Sequence, residues 1–387
     1  MLVRSFVHDL KARLLEDAPL IQVVLGPRQV GKTFGVREHL LPKIKGLYHF
    51  CTADDSLSGT SDWIDAQWQR ALEMGKGTTL IIDEIQNIDN WAKRIKALWD
   101  LQKDPPSKRM LKVVLLGSSS LSLQKGLTES LTGRFEEIRA SHWSFPEMQK
   151  AFKCDLDDYL IFGGYPGAWN FHKDYGRWFS YLKGSVIDTV IGKDILLQNR
   201  VQKPALFRQA FEILCHYPAQ EVSYNKLLGQ LQDKGNTDLV KYYIELYEGA
   251  FLFKTLSKYA IKGTVKKSSS PKVLPLCPAL STLAFGQNAT LTEKGRILEA
   301  AVGADLFRIP NCDLFYWRDG KYEVDYVLKI DRQIYGIEVK SARTEKTSGL
   351  MAFRARFPKI RTCMITRENY LQFTKKPLAF LERVSVG

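Results

Sequence analysis

The sequence predicts an α/β protein built from several domains, and two observations carry that prediction. The chain has 387 residues, more than a single hydrophobic core usually serves, so we expect two or three domains. Within the first 140 residues, short apolar strands alternate with helical segments. That alternation is typical of a parallel sheet covered by helices on both faces.

The elements of this first part follow in order along the chain. An amphipathic N-terminal helix leads to residues 20–26 (LIQVVLG), a continuous apolar run that suits a buried parallel strand. Further strands are predicted at residues 47–51, 79–83 and 112–116, and helices at residues 34–41, 62–74 and 91–101. From about residue 141 the pattern becomes helical, and several strands follow after residue 292.

Composition and charge limit the classes of protein and partner. The net charge is +14, from 56 Lys and Arg against 42 Asp and Glu, which favours nucleic acid as a partner and an anionic membrane surface second. A basic surface without a cognate partner is the alternative. No apolar run reaches the roughly 18 residues of a membrane span, and the charged N-terminus is not a secretory signal. The six scattered cysteines indicate neither a zinc site nor a disulfide framework, which favours the cytoplasm.

A phosphate-binding loop is predicted directly after the first strand. Residues 26–33 (GPRQVGKT) fit the pattern GxxxxGK[ST], in which glycines let the backbone N–H groups point at phosphates at a helix N-terminus. Lys32 is expected to reach the β- and γ-phosphates of ATP and to take part in catalysis, and Thr33 to ligate Mg²⁺. The predicted nucleotide-binding residues are Gly26, Pro27, Arg28, Gln29, Val30, Gly31, Lys32, Thr33, Phe34 and Asp83.

Acidic and hydroxyl side chains end two other strands and complete the predicted site. In LIIDEIQ, Asp83 is expected to hold Mg²⁺ and Glu84 to act as the general base on the attacking water. The alternative is that this acidic pair caps the next helix. Ser118, the first serine after the strand VVLLG, is predicted to orient the water, although a serine cluster after glycine is also an ordinary loop.

An arginine finger is predicted in the segment LTGRFEEI. Arg134 follows a helix and precedes a strand, a position that suits an arginine stabilising transition-state charge in a neighbouring subunit's site. The alternative is a surface salt bridge to Glu136 or Glu137. If the finger is correct, catalysis requires an oligomer.

Taken together, these motifs resemble those of a known family. GPRQVGKT, the pair Asp54 and Asp55, LIIDEIQNIDNWAKRIKALWD, LLGSSS, the Leu131–Arg134 segment and FGGYPGAW resemble the archaeal-type AAA+ ATPases of bacteria and archaea. The resemblance runs over essentially the whole chain. It implies a P-loop AAA+ core, a helical lid, a winged helix and a C-terminal domain of restriction-endonuclease-like fold, without defining a biological role.

A winged helix-turn-helix is predicted in the middle of the chain. Two short helices and a third helix capped by Asn236 or Thr237 precede a β-ribbon, and the third helix suits a major groove of DNA. The candidates for groove contacts are Asn236, Thr237, Lys241 and Tyr242, and those for phosphate contacts are Lys254, Lys258, Lys262, Lys266 and Lys267. A protein-interaction module is the alternative, and the acidic residues Asp238, Glu245 and Glu248 favour it.

The C-terminal part carries a constellation that resembles the PD-(D/E)XK nucleases. Glu299 lies on a predicted helix, Asp325 lies in YEVDYVL, and Glu338 and Lys340 share one face of the strand GIEVKS. The resemblance implies that the three carboxylates bind Mg²⁺ and that Lys340 activates water. A surface hairpin with mixed charges is the alternative, and inactive copies of such domains are common. Relatives tend to carry an acid where this chain has Cys277, which leaves the role of that segment open.

These observations give four predicted domains and three candidate functions. The domains are an AAA+ ATPase core at residues 1–140, a helical lid and connector at 141–200, a winged helix at 201–265 and a nuclease-like domain at 266–387. The leading function is an oligomeric, ring- or hexamer-like ATPase that binds and remodels DNA, with ATP and Mg²⁺ as cofactors and no membrane or further small-molecule substrate. The alternatives are an ATP-switched scaffold with an inactive nuclease fold and an ATP-dependent, Mg²⁺-dependent DNA nuclease.

Overall fold

The computed structural model describes most of the chain, and the described residues fall into two compact units. Described are residues 2–16, 20–54, 59–102, 110–118, 126–127, 129–197, 199, 201–232, 235–260, 270–341 and 347–384. The first unit contains residues 1–141 and 186–200, and the second contains residues 142–185 and 201–387. Each unit has its own sheet.

The first unit is built around a parallel sheet of five strands. They are β1 (Ile21–Gly26), β2 (Tyr48–Thr52), β3 (Thr79–Asp83), β4 (Lys112–Ser118) and β5 (Phe135–Arg139). Their order across the sheet is β2-β3-β4-β1-β5, so β4 lies between β1 and β3. The strands β1, β3 and β4 are almost entirely buried, as the apolar runs predict. Because all five strands are parallel, the ends of β1, β3 and β4 meet at one edge.

Helices cover this sheet at the places that the sequence predicts. They are α1 (Ser5–Leu15), α2 (Lys32–Phe34), α3 (Ser61–Met74) and α4 (Trp91–Leu101). The helix that α2 begins continues through a π-helical stretch, Gly35–Leu40, and a 3₁₀ turn, Leu41–Lys43, where it ends beside Pro42. Two further elements belong to the unit, a 3₁₀ turn at Ile85–Asn87 and a π-helical stretch at Val190–Leu196. The second of these comes from a distant part of the chain.

The second unit contains eleven numbered helices and seven strands in the part of the chain that the structure describes. The helices are α5 (Phe145–Phe152), α6 (Leu156–Phe162), α7 (Tyr175–Ser180), α8 (Pro204–Cys215), α9 (Tyr224–Leu228), α10 (Thr237–Gly249), α11 (Pro278–Phe285), α12 (Leu291–Phe307), α13 (Ser348–Arg356), α14 (Tyr370–Lys375) and α15 (Pro377–Val384). The strands are β6 (Gln220–Glu221), β7 (Phe253–Lys258), β8 (Lys272–Pro275), β9 (Cys312–Asp319), β10 (Tyr322–Ile330), β11 (Gln333–Lys340) and β12 (Arg361–Thr366). A 3₁₀ turn at Ala168–Phe171 also belongs to this unit, and a π-helical stretch at Tyr181–Ile187 runs across the boundary between the two units after residue 185.

One sheet joins two segments that the sequence assigns to separate domains. Its order is β12-β11-β10-β9-β7-β8-β6, and β7 pairs in parallel with β9. Strands β7 and β8 are antiparallel partners, and the predicted domain boundary after residue 265 falls between them in the sequence. The predicted winged helix at 201–265 and the predicted domain at 266–387 therefore share a sheet. Local sequence patterns cannot show this, because the β7–β9 pairing joins residues more than fifty positions apart.

The long helix α12 packs tightly on this sheet. A capping box of Thr290 and Glu293 begins it, as both side chains bond the opposite backbone N–H. A Cβ at Gly303 would lie 2.4 Å from the hydroxyl of Tyr326, so glycine permits the close approach. The Tyr326 hydroxyl donates a hydrogen bond of 2.8 Å to the carbonyl of Glu299. This contact fixes Glu299 over strand β10.

No helix in the described part of the chain is both long and apolar enough to cross a membrane.

Candidate nucleotide-binding site and a buried acidic cluster

The predicted phosphate-binding loop lies between β1 and α2, and its glycines serve different purposes. A Cβ at Gly26 would lie 2.0 Å from the carbonyl oxygen of Ala140, so the end of β1 leaves no room for a side chain. Gly31 has φ 83°, a left-handed conformation that glycine adopts without strain. Gln29 also has a positive φ, of 63°. The loop therefore curls at two positions immediately before the helix.

Lys32 is a buried ammonium held by carbonyl groups. Its Nζ donates hydrogen bonds of 2.8 Å to the carbonyl oxygens of Gly26 and Pro27. Burial lowers the pKa of Lys32 to about 8, although the charges of Glu84 and Asp83 oppose that shift. An anion bound in the loop would compensate the buried charge, so the geometry fits phosphate.

Thr33 joins this loop to the end of strand β3. Its Oγ1 donates a hydrogen bond of 2.6 Å to Oδ2 of Asp83. Burial raises the pKa of Asp83, although the hydrogen bond from Thr33 opposes that shift. A hydroxyl and a carboxylate side by side are the hard oxygen ligands that Mg²⁺ takes beside phosphates, so these residues fit that ion.

Glu84, Gln86 and Ser118 form a connected group beside Asp83. The Gln86 amide donates to Glu84 Oε2 and, at 3.0 Å, to Ser118 Oγ. Ser118 is fully buried and stands opposite Gly26 in the β1–β4 register. Glu84 precedes the turn Ile85–Asn87 without a side-chain capping bond, so its carboxylate is not used for helix capping. Gln86 is a member of the site that the sequence did not single out.

Val30 and Phe34 of the predicted loop, and Asp54 after strand β2, have identified surroundings. Arg4 donates a hydrogen bond of 3.1 Å to the carbonyl of Val30, which ties the loop to the segment before α1. Phe34 is half exposed and lies edge-on to the ring of His39. Asp54 accepts a hydrogen bond of 3.0 Å from the side chain of Asn87, and Asp55 lies outside the described residues.

Arg28 makes a two-point side-chain contact with a residue that no sequence signal indicated. Its guanidinium donates to both carboxylate oxygens of Asp194, at 2.5 and 2.6 Å. Asp194 is 3% exposed and lies on the π-helical stretch Val190–Leu196, 166 residues away along the chain. Burial raises the pKa of Asp194, although its hydrogen bonds and charge interaction with Arg28 oppose that shift. Asp194 lies within residues 141–200, the predicted lid and connector, where no local pattern indicates a contact with the phosphate-binding loop.

Arg134 lies at the opposite edge of its own sheet from the loop. Its carbonyl accepts a hydrogen bond of 2.9 Å from the N–H of Ile21, the first residue of β1. Because β1 rises about 3.3 Å per residue, that edge is roughly 17 Å from the loop end of the strand. The Arg134 guanidinium makes a two-point contact with Asp100 at 2.8 and 2.9 Å. The salt bridges to Glu136 or Glu137, considered as the alternative, are made by Arg13 and Arg139 instead.

Three of the predicted DNA-contacting side chains, those of Asn236, Lys241 and Lys254, have partners within the chain. Asn236 caps α10, accepting a hydrogen bond of 2.8 Å from the N–H of Leu239, and Thr237 is the first helical residue. Lys241 pairs with Asp238 at 2.9 Å, and Lys254 pairs with Glu248 at 2.8 Å. Tyr242 and Lys258 are exposed. Lys262, Lys266 and Lys267 lie outside the described residues.

The predicted nuclease residues Glu299 and Asp325 come together around another cation. Lys272, at the start of β8, is fully buried, and its Nζ lies 2.5 Å from Glu299 Oε1 and 3.9 Å from Asp325 Oδ1. Glu323 is 3.6 Å away, and the Asp325 carbonyl accepts a hydrogen bond of 3.1 Å. Burial opposes the charge on Lys272, but the neighbouring carboxylates outweigh it and raise its pKa. Burial also raises the pKa of Glu299, to about 8.

Glu338 and Lys340 pair with each other beside this cluster. Lys340 Nζ lies 2.9 Å from Glu338 Oε1, and the N–H of Val339 donates a hydrogen bond of 2.7 Å to Asp325 Oδ2. Among the described residues, no group of three or more His, Cys, Asp or Glu side chains is arranged to hold a metal ion. The ammonium of Lys272 thus lies beside Glu299 and Asp325, two of the three carboxylates predicted to bind Mg²⁺, whereas Glu338 pairs with Lys340.

Cys277 has a packing role in the second unit. It is buried immediately before α11, and its sulfur accepts a hydrogen bond of 3.2 Å from the N–H of Gly164. Gly163 leaves no room for a side chain there, because a Cβ would lie 2.7 Å from the sulfur. Burial raises the pKa of Cys277 to about 11, so the thiol stays protonated.

Comparison with known proteins identifies the kind of domain that carries the nucleotide site. Residues 19–149 match the family model AAA_14, described as an AAA domain. Residues 153–289 and 294–382 match two models described as domains of unknown function, DUF8612 and DUF4143. Residues 19–149 are therefore similar to an AAA domain, and the five-stranded parallel sheet of the first unit agrees with that similarity.

Relatives extend over most of the chain. An uncharacterized protein of Methanocaldococcus jannaschii is 25% identical over 345 residues, which cover 83% of this chain and 74% of the relative. An uncharacterized protein of Haemophilus influenzae is 24% identical over 308 residues, covering 76% and 73% of the two chains. The structure of the Thermotoga maritima RuvB Holliday junction branch migration motor covers 64% of this chain and 88% of its own, with 16% identity and a TM-score of 0.32.

Proposed function

We propose that the chain binds and hydrolyses ATP with Mg²⁺ at the carboxyl edge of the first sheet. The observation that carries this proposal is the convergence of three segments. Three features lie where β1, β3 and β4 end. They are the loop that contains Lys32, the hydrogen bond between Thr33 and Asp83, and the hydrogen-bonded group of Glu84, Gln86 and Ser118. Ligands of open parallel sheets bind at this edge.

Each side chain of this site has its own role in the transfer of the γ-phosphoryl group to water. Lys32, already buried and positively charged at neutral pH, neutralises the β- and γ-phosphates. Thr33 and Asp83 would hold Mg²⁺, which offsets the charge that develops on the phosphate oxygens. Glu84 accepts the proton of the attacking water, and Ser118 helps to orient that water. Gln86 holds Glu84 and Ser118 in a fixed relation.

The position of Arg134 supports an oligomer. Because it lies roughly 17 Å from its own loop, it completes a nucleotide site only if that site belongs to a neighbouring copy of the chain. Arg134 exchanges its Asp100 partner for the γ-phosphate of that neighbour. A closed ring, such as a hexamer, gives every subunit the same neighbour.

DNA is the partner that we propose for this assembly. The net charge of +14 and the three-helix segment α8 to α10 followed by β7 and β8 support a basic winged helix. The ion pairs of Lys241 and Lys254 leave Thr237, Tyr242 and Lys258 as the described candidates for contact. Binding through phosphates would weaken steeply with salt.

A second candidate function is an ATP-switched scaffold whose nuclease-like fold is inactive. The Lys272 ammonium favours it, because this cation compensates Glu299 and Asp325 without a metal ion. An ATP-dependent, Mg²⁺-dependent nuclease requires these carboxylates to release Lys272. Cleavage of DNA that depends on Asp325 and Lys340 would favour the nuclease over the scaffold.

The test is ATP turnover by the purified full-length oligomer, measured without DNA and with duplex or single-stranded DNA at two salt concentrations. We expect turnover by the wild type and none by Lys32→Ala. Arg356→Ala, which removes an exposed cation of the second unit, is the matched control and should keep its turnover. Equal turnover by wild type and Lys32→Ala would overturn the ATPase proposal. No DNA binding at low salt would leave the scaffold as the better account.

A further inference from the structure

The contact between Arg28 and Asp194 has a chemistry that the proposed ATPase site does not yet use. A guanidinium that donates to both oxygens of one carboxylate forms a planar, two-point contact. The same fork of donors binds two oxygens of a phosphate equally well. Asp194 therefore occupies, on Arg28, the position that a phosphate group would take.

Both residues belong to the immediate surroundings of the phosphate-binding loop. Arg28 is a member of that loop, four positions before Lys32. The charge of Asp194 acts on Lys32, and the charge of Glu84 acts on Asp194, so these three charged groups interact electrostatically. A triphosphate in the loop brings further negative charge towards Asp194, whereas a diphosphate brings less.

The segment that carries Asp194 has two unusual features. Residues Val190–Leu196 form a π-helical stretch, a backbone pattern that occurs preferentially at functional sites. Although the segment packs in the first unit, the chain on both sides of it, up to residue 185 and from residue 201, belongs to the second unit. A change in this segment is therefore passed covalently to the second unit at both ends.

We propose that Asp194 is a nucleotide-sensing residue that holds Arg28 until a terminal phosphate takes its place. With ADP the Arg28–Asp194 contact persists. With ATP the γ-phosphate attracts Arg28 and repels Asp194, and the stretch Val190–Leu196 loosens. The inference rests on the proposed nucleotide site and adds the group that distinguishes ATP from ADP. Asp194 is thus a positioning residue that acts through Arg28.

The experiment compares the dissociation constants of ADP and of a non-hydrolysable ATP analogue with an imido bridge, using the full-length protein. Asp194→Asn keeps the shape of the side chain and removes its charge. The analogue should then bind about tenfold more tightly, a typical size for coupling between sites, while ADP affinity changes little. Arg28→Ala should weaken the analogue more than ADP. In the Arg28→Ala background, Asp194→Asn should tighten the analogue less than in the wild type.

A matched control comes from another ion pair of the first unit. Asp65 accepts a hydrogen bond of 2.7 Å from Arg94, away from the phosphate-binding loop. Asp65→Asn should leave the ratio of the two affinities unchanged. A purely structural role of Asp194 predicts equal losses for both nucleotides together with a lower melting temperature.

Hydrogen exchange of residues 190–196 gives the second readout. In the wild type, amide exchange there should be faster with the ATP analogue than with ADP. In Asp194→Asn it should already be fast without nucleotide. The sensing role is overturned if the affinity ratio of Asp194→Asn stays within about twofold of the wild type, less than typical coupling. If the wild type binds neither nucleotide, the proposed function fails first, and the two failures are distinguishable.

Discussion

Thr33 Oγ1 donates a hydrogen bond of 2.6 Å to Asp83 Oδ2, across 50 positions of sequence. This bond connects the phosphate-binding loop to the end of strand β3. It also places side by side the two oxygen ligands that a magnesium ion in this site would need. The predictions below begin from this contact.

Removal of the Thr33 hydroxyl should impair catalysis more than folding. Thr33→Ala loses a Mg²⁺ ligand and the bond to Asp83, so kcat should fall on the order of a hundredfold, as for a misplaced reacting group. Thr33→Ser keeps the hydroxyl and should retain most of the activity. Steady-state kinetics with Mg²⁺ titration measures both variants. Similar kcat values for the two would contradict the ligand role.

Replacement of Glu84 should slow the hydrolysis of ATP without weakening the binding of ATP. Glu84→Gln removes the proposed general base, so single-turnover hydrolysis should slow by about 10²–10⁴-fold. ATP should bind at least as tightly, since a negative charge beside the phosphates is lost. Glu136→Gln, on strand β5 and paired with Arg13, is the control and should leave hydrolysis unchanged. Normal hydrolysis by Glu84→Gln would assign the base to another group.

ATP affinity should fall as pH rises through about 8. Burial lowers the pKa of Lys32 to about 8 from the usual 10.5, so above that pH the ammonium loses its proton in the folded protein. Bound phosphate favours the charged form, and binding near pH 8 should therefore take up about half a proton. Calorimetry in buffers of different ionisation enthalpy measures this uptake. An affinity that is constant from pH 7 to 9 would rule out titration of Lys32.

The lowered pKa of Lys32 also makes the free energy of unfolding depend on pH. Between pH 8 and 10.5 the unfolded Lys32 holds its proton while the folded one has lost it, so this group makes the unfolding free energy rise with pH in that range.

Arg134 should act between subunits. Arg134→Ala should bind ATP normally and hydrolyse it slowly, by analogy with arginine fingers worth about 10³–10⁵-fold. Lys32→Ala should be inactive, because its own site would lack the proposed phosphate ligand. A mixture of the two variants should regain turnover, because Lys32→Ala subunits supply Arg134 to intact neighbouring loops. Arg139→Ala, which loses an exposed contact to Glu137, is the control. Unchanged turnover in Arg134→Ala would remove the finger.

Lys272 should be essential to the stability of the second unit. Lys272→Met leaves Glu299 and Asp325 without their buried cation, which should cost about 3–5 kcal/mol of unfolding free energy. Lys329→Met, on β10 and exposed, should change it by less than about 0.5 kcal/mol. Denaturant unfolding measures both. Equal stability of the two variants would show that Lys272 is not the resident cation.

The pH dependence of Lys272→Met follows from Glu299. Burial raises its pKa from 4.5 to about 8 even beside Lys272, so burial disfavours the charged form of this carboxyl group in the folded protein. Protonation of Glu299 contributes to the free energy of unfolding. This contribution is fully present below about pH 4.5, and it is lost as the pH rises through about 8, the pKa of Glu299 in the folded protein. Without Lys272 the melting temperature should therefore fall more steeply between pH 5 and 8 than in the wild type. Recovery with Mn²⁺ would show that the emptied cluster accepts a divalent ion.

Much of the fold and of the nucleotide site follows from local sequence patterns. The strand at residues 79–83 and the helix at residues 91–101 have the predicted bounds. The spacing of apolar residues indicates which face of a strand or helix is buried, so such elements can be predicted from the sequence alone. The loop pattern at Gly26–Thr33 was readable because phosphate binding requires glycines and a lysine at fixed spacing.

The sequence by itself determined the parallel sheet, the phosphate-binding loop and the acidic end of β3, because each depends on neighbouring residues. Only the tertiary structure decided which distant charges meet. It placed Asp194 on Arg28, Lys272 among the acids expected to hold metal, and Gln86 between Glu84 and Ser118. Each contact joins residues from different elements. A buried charged or polar group needs a partner, and the tertiary structure supplies that partner from a distant part of the chain, which no local sequence pattern indicates.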